Sequence, residues 1–291
     1  MQCKNCGSDH VQKDGKHNGL QRYKCLECNK RFDGEEYQPM FFCHFNVRIK
    51  KTDRNRITRD NYCIPTNELD YKEKKNIRIA KEIHARKQGE ATLIPEFYYN
   101  LPNRVFADEE HYTDEWVEEH YRACMENFDL NMAFFSELNY ADFDKYLMRF
   151  VKKNKFIETG DLNVLDGKRG IYILVLDEYK QVYIGKSESA GGMKQRILSH
   201  WSKRKEFGRL LNGRVETSIL SIDSFGALDT TRIFYKELKW YQDIDECEGK
   251  LVEEFNSDYR LNRVAGGLNA EGEPAARNLM LMGSVQERKL K

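Results

Sequence analysis

Two sets of side chains in this 291-residue chain could carry chemistry. The first is Cys3-x2-Cys6 and Cys25-x2-Cys28, two thiol pairs separated by an 18-residue loop. Each pair on a tight turn presents its sulfurs about 2.3 Å from one metal, and the second pair completes a tetrahedron, as in structural Zn2+ sites. Four protein ligands leave no position for water, so the spacing predicts a structural ion. Gly7 follows the first pair, where a tight knuckle needs a relaxed backbone. So short a segment buries too little surface to fold alone, and metal binding is expected to supply the missing free energy. His10 and His17 are spare donors that four cysteines make unnecessary, and disulfides are the competing reading in an oxidising compartment. The second set is scattered: Tyr172, Tyr183, Lys186, Arg196, His200, Glu248 and Asn262.

Elements that could gather this second set are visible around it. Gly170-Ile171-Tyr172-Ile173-Leu174-Val175-Leu176 is β-rich, 177–180 reads as a turn, and Gln181-Val182-Tyr183-Ile184-Gly185 reads as a second strand. In that hairpin the hydroxyls of Tyr172 and Tyr183 can meet on one face. A helix is expected from about Gly192 to Lys205, with Arg196 and His200 four apart on one side of it. Another is expected over 248–255, burying Leu251, Val252 and Phe255, with Glu248 one turn before them; a solvated carboxylate at a helix N-terminus is the alternative reading of Glu248. A third strand is placed at 232–238, within a stretch, 206–240, that contains extra material.

The ordered elements Gly170-Ile171-Tyr172, Tyr183-Ile184-Gly185, Arg196-x3-His200, Glu248-x2-Leu251-Val252-x2-Phe255 and Asn262 with Ala265-Gly266-Gly267 resemble the GIY-YIG nuclease superfamily over about 165–270. The resemblance implies a small antiparallel sheet flanked by helices and a Mg2+-dependent hydrolysis of phosphodiester bonds. It implies that Glu248 holds Mg2+, that Arg196 clamps the scissile phosphate, and that Tyr172 or Tyr183 positions or deprotonates the attacking water. A free tyrosine has a pKa of about 10, so a base role needs a nearby cation: metal, Arg196 or Lys186. His200 would assist proton transfer or hold a phosphate, and Asn262 would brace the site. Glu246 and Glu253 are neighbouring carboxylates that leave the ligand assignment open. The first 35 residues, with Cys3-Lys4-Asn5-Cys6-Gly7-Ser8, Gln21-Arg22-Tyr23-Lys24-Cys25 and Lys30-Arg31-Phe32, resemble the zinc ribbons of bacterial transposases and phage proteins. That implies DNA contact through Arg22, Lys24, Lys30 and Arg31 interleaved with Tyr23 and Phe32, or a protein-docking role. It also implies a prokaryotic or phage origin.

Charge fits a polyanion partner locally. The chain has 48 Lys+Arg and 47 Asp+Glu, net +1, but the basic groups concentrate in 1–32, 46–59 and 186–209. Nine carboxylates face only Arg122 over 107–130, an acidic stretch read as a protein-partner site or a mask over a basic groove. The longest apolar run, Ile171–Leu176, cannot span a bilayer, which takes about 20 residues. The chain opens with Cys3, Lys4 and Cys6 in place of an apolar leader, so no membrane partner and a cytoplasmic location are expected. Amphipathic helices are expected over 68–88, 113–127 and 134–153, with a loop between Pro95 and Pro102, and Cys43, Cys63, Cys124 and Cys247 are read as buried small hydrophobes.

The expected chain is thus α+β: a zinc ribbon over 1–36, a mixed or helical middle over 37–162, a nuclease-like domain over 163–270 and a tail over 271–291. The function expected is a metal-dependent DNA endonuclease holding catalytic Mg2+ and structural Zn2+. The alternative is a non-catalytic DNA-binding or regulatory protein that keeps a nuclease fold.

Overall fold

The computed structural model describes residues 1–17, 20–34, 40–71, 74–75, 107, 110–263 and 290. Most of the expected 68–88 helix, the Pro95–Pro102 loop, Ala265-Gly266-Gly267 and all but one residue of the tail lie outside the described residues. The described chain is α+β, with small antiparallel sheets and several helices.

A three-stranded sheet comes first, from β1 (Val11–His17), β2 (Leu20–Cys25) and β3 (Arg31–Asp33), followed by a hairpin of β4 (Phe41–His44) and β5 (Val47–Lys50). Four strands form the central sheet: β6 (Ile157–Thr159), β7 (Gly170–Leu176), β8 (Gln181–Ser187) and β9 (Arg232–Glu237), in the order β6-β9-β7-β8. The helices are α1 (Arg59–Tyr62), α2 (Asp114–Glu137), α3 (Tyr140–Lys153), α4 (Gly192–Ser202) and α5 (Ile244–Glu254). No helix among the described residues is long and apolar enough to cross a membrane.

All seven residues of β7 are buried, because the strand lacks polar alternation and must be covered on both faces. Ile171, Ile173 and Val175 pack with Phe143, Leu147 and Phe150 of α3 and with Leu251 and Val252 of α5. Tyr172, Leu174 and Leu176 join a second cluster with Trp116, Phe128 and Phe135 of α2 and Met193 and Ile197 of α4. Ile57 and Tyr62 also belong to this cluster, so packing crosses the 162/163 boundary drawn from the sequence.

Several element limits differ from the reading of the sequence. Helix α2 runs unbroken to Glu137, because Phe128, Asn131 and Phe135 keep one face buried beyond residue 127. The break falls at Leu138, with extended backbone, and Asn139 caps α3 by accepting from the Asp142 N–H. Helix α5 begins four residues earlier than expected, where Asp243 accepts from the Glu246 N–H. Of the four further cysteines, Cys63 and Cys124 are buried, but Cys43 is exposed on β4 and Cys247 is half-buried.

The segment between α4 and β9 consists of short 3-10 turns pinned by polar side chains. Asn127 donates to the carbonyls of Val215 (2.6 Å) and Ser218 (2.7 Å), and Asn131 donates to Ser218 (2.9 Å). The half-buried Arg263 guanidinium donates to the carbonyls of Ile219, Arg209 and Leu210. Buried carbonyls need such partners, and the contacts fix the backbone that carries Asp223.

Candidate active site and metal-binding cysteine cluster

The ladder positions the two tyrosines. Tyr172 pairs with Gly185 and Leu174 with Tyr183, so both phenols share one face of the sheet with ring centroids 6.4 Å apart. On the other side Tyr172 pairs with Tyr235 of β9, a third tyrosine that the sequence reading missed. The glycines flanking the motif answer close approaches: a Cβ on Gly170 would stand 2.2 Å from the Lys236 carbonyl oxygen, and one on Gly185 would stand 2.5 Å from the Tyr172 hydroxyl.

Helix α4 brings His200 beneath these rings. Tyr172 hydroxyl lies 2.9 Å from His200 Nε2, and His200 Nδ1 lies 2.6 Å from Asp223 Oδ1. Asp223 is ionised, since His200 holds its pKa below 3.8 against the opposing effect of burial. An ionised carboxylate only accepts, so it takes the Nδ1 proton and leaves Nε2 to accept from Tyr172. Burial lowers the His200 pKa against the pull of Asp223, which keeps the imidazole neutral. Asp223 was not anticipated: it lies in the irregular 206–231 segment, where no local pattern marks it.

The two phenols differ in access. Tyr172 is fully buried, whereas Tyr183 is partly exposed, with its ring centroid 5.0 Å from that of His200. Burial raises both pKa values above the ordinary tyrosine range; the charge of Glu248 adds to the rise and Arg196 opposes it. The Arg196 side chain remains exposed beside them.

Glu248 sits in the second turn of α5 and is 6% exposed, which is not the solvated N-terminal carboxylate of the alternative reading. Glu246 pairs with Lys250 (2.7 Å) and Glu253 is exposed, so Glu248 is the buried carboxylate of the three. Lys186 Nζ stands 3.3 Å from Glu248 Oε2 and also pairs with Asp245, one turn before it. Asn262 uses its whole amide on the chain: Oδ1 accepts from Ile184 N–H (3.0 Å) and Nδ2 donates to Ile184 carbonyl (2.7 Å). It therefore braces β8, and its polar atoms are committed to that strand.

At the other end of the chain, the sulfurs of Cys3, Cys6, Cys25 and Cys28 all lie within 4.8 Å of one another, close enough to bind a metal. Cys3 and Cys28 are 3.5 Å apart and Cys6 and Cys25 are 3.4 Å apart. A backbone hydrogen bond from Lys30 and the Asn5 amide hold Cys28 down to about 6. Cys6 is pushed up to about 12: a backbone hydrogen bond from Ser8 resists, and desolvation and the other three thiols prevail. Four crowded thiols cannot all ionise without a cation among them. Two of the four basic residues expected to face DNA, Arg22 and Arg31, pair with Asp14, and Arg31 remains exposed. Tyr23 and Phe32 stack on each other at 5.9 Å.

Comparison with known proteins gives no matching family model, no matching curated protein and no matching solved structure.

Proposed function

We propose that the chain is a metal-dependent DNA endonuclease of the GIY-YIG type, hydrolysing phosphodiester bonds and targeted by an N-terminal zinc ribbon. The observation that carries the reading is the Tyr172–His200–Asp223 chain of hydrogen bonds beside Tyr183, Arg196 and the buried Glu248.

Phosphodiester hydrolysis needs an oriented water, charge against the phosphate oxygens and help for the leaving oxygen. Tyr183 is the less buried of the two phenols, so it is the group to orient the water and take its proton. Tyr172 is sealed and bonded to His200, so it holds the imidazole and the sheet face in register. Arg196 presents an exposed planar fork suited to a phosphate. Glu248 and Asp245, one turn apart, offer the few oxygen donors that Mg2+ prefers, and the Lys186 ammonium already sits against both. When bound there, Mg2+ would supply charge against the phosphate and offset the Glu248 charge, which adds to burial in raising the Tyr183 pKa. The four cysteines are proposed to hold structural Zn2+.

Plasmid cleavage in Mg2+ tests the assignment, comparing the parent with Glu248→Gln, Arg196→Ala and Tyr183→Phe. Each substitution is expected to cost about 100-fold or more; equal cutting by all four defeats the active-site reading. Lys186 favours the alternative of a non-catalytic DNA-binding protein, because its ammonium already neutralises the carboxylates. Tight DNA binding without cleavage in Mg2+ and Mn2+ would support that alternative.

A further inference from the structure

The turn between β9 and α5 presents two aromatic rings to solvent: Trp240 is 86% and Tyr241 70% exposed. Flexible chain does not account for this, because the turn is stapled at both ends. Gln242 N–H donates to the Lys239 carbonyl (3.0 Å), and Lys239 N–H donates to Gln242 Oε1 (2.8 Å). Arg169 then clamps the Lys239 carbonyl (2.7 Å) and the Gln242 carbonyl (2.9 Å) with the two arms of its guanidinium. Arg169 directly precedes Gly170 of β7, and Ile244, the first residue of α5, follows the turn by two positions. The same rigid path therefore holds the rings and the candidate site residues Asp245 and Glu248. The rings stand edge to face, 5.7 Å apart at 86°.

Exposing a tryptophan in water is unfavourable by its apolar area, and holding it on a fixed turn offers no compensation within the described fold. Fixed aromatic rings lose little conformational freedom when a flat partner stacks on them. Two rings are far too small for a stable protein interface, which takes about 800 Å2 per partner. They match the area of one or two nucleobases, and the exposed Lys239 beside them offers charge for the attached phosphate.

We propose that Trp240 and Tyr241 form a stacking platform for unpaired bases, and that the substrate class is DNA with a single-stranded or unstacked stretch beside the cut. This rests on the DNA-nuclease reading above and adds a substrate class to it. Stacking is sequence-tolerant, because every base has a π-face. The platform therefore selects DNA structure and leaves sequence unread.

The test uses full-length Glu248→Gln protein and labelled DNA, either a blunt 20-bp duplex or the same duplex with a single-stranded fork. Anisotropy gives the two affinities, and the part of the tryptophan emission that is absent in Trp240→Phe reports stacking on Trp240. The fork is expected to bind more tightly and to quench emission. Trp240→Ala and Tyr241→Ala should each weaken fork binding on the order of 10-fold and leave duplex binding and the melting temperature unchanged, whereas Trp240→Phe and Tyr241→Phe should retain fork binding. A fork preference that survives both alanine variants overturns the platform, as does equal binding of fork and duplex by the parent. A change in oligomeric state in Trp240→Ala, with DNA affinity unaltered, also overturns it and marks a protein contact. If the catalytically intact protein cuts plasmid while these outcomes hold, the platform alone falls; if it neither binds nor cuts any DNA, the nuclease reading falls as well.

Discussion

Gly185 stands directly opposite Tyr172 across the β7–β8 ladder, and the tyrosine ring lies over the space that any side chain at residue 185 would need. The contact links a backbone position on β8 to the hydrogen bond that His200 receives. In Gly185→Ala the new Cβ would meet the Tyr172 ring at 2.5 Å, so the ring must move. Overpacking of this kind costs about 1–3 kcal/mol. Gly185→Ala is expected to lower the melting temperature, to shift the His200 ring signals in NMR, and to lose cleavage. Unchanged His200 signals would show that the ring had not been displaced.

His200 should titrate below 6.5, because burial opposes its charged form more strongly than Asp223 favours it. The unfolded chain then binds the proton more readily than the native one. The stability due to the neutral imidazole is complete above 6.5 and is lost as pH falls from there toward the native pKa. An NMR titration of the His200 ring checks this. In Asp223→Asn the midpoint should drop further, since the one favourable charge is gone. A midpoint above 6.5 in the parent would mean that the ion pair prevails over burial.

Asp229 is buried beneath the sheet's edge turns, accepting from Ile57 N–H (2.8 Å), Gly226 N–H (2.7 Å) and Tyr179 hydroxyl (3.2 Å). Burial outweighs these bonds and pushes its carboxyl up to about 6. A carboxyl whose native pKa is raised favours the protonated fold. Its contribution to stability is therefore present below the ordinary 3.8 and is lost as pH rises to about 6. Thermal melts of the parent against Asp229→Asn should show the variant gaining on the parent across that window and levelling off above it. A constant difference at all pH values would refute the raised pKa.

The cysteine cluster should hold one Zn2+ per chain and release protons on binding it, because Cys6 is held protonated without a cation. Metal analysis and a chelator titration check both. None of the described residues from 1 to 34 belongs to the two hydrophobic clusters around the central sheet. Chelation is therefore expected to unfold the N-terminal segment while the main thermal transition persists; loss of both together would show the segments to be coupled.

Local periodicity made β7, β8, β9, α4 and α5 readable, because an apolar run such as Ile171–Leu176 or a stripe such as Leu251, Val252 and Phe255 encodes its own buried face. The spacing Cys-x2-Cys, repeated, likewise made the gathering of four sulfurs readable, since short knuckles fix which sulfurs can converge. Asp223 was beyond such reading. It reaches His200 from an irregular segment that Asn127, Asn131 and Arg263, from distant parts of the chain, hold by its carbonyls. Which of the two tyrosines is the more buried, which carboxylate near residue 248 is buried, and how Asn262 spends its amide were also settled by packing across the sheet. Periods of two and 3.6 residues report which way a side chain faces within its own element; the neighbours it meets depend on how separate elements dock, and no spacing along the chain records that.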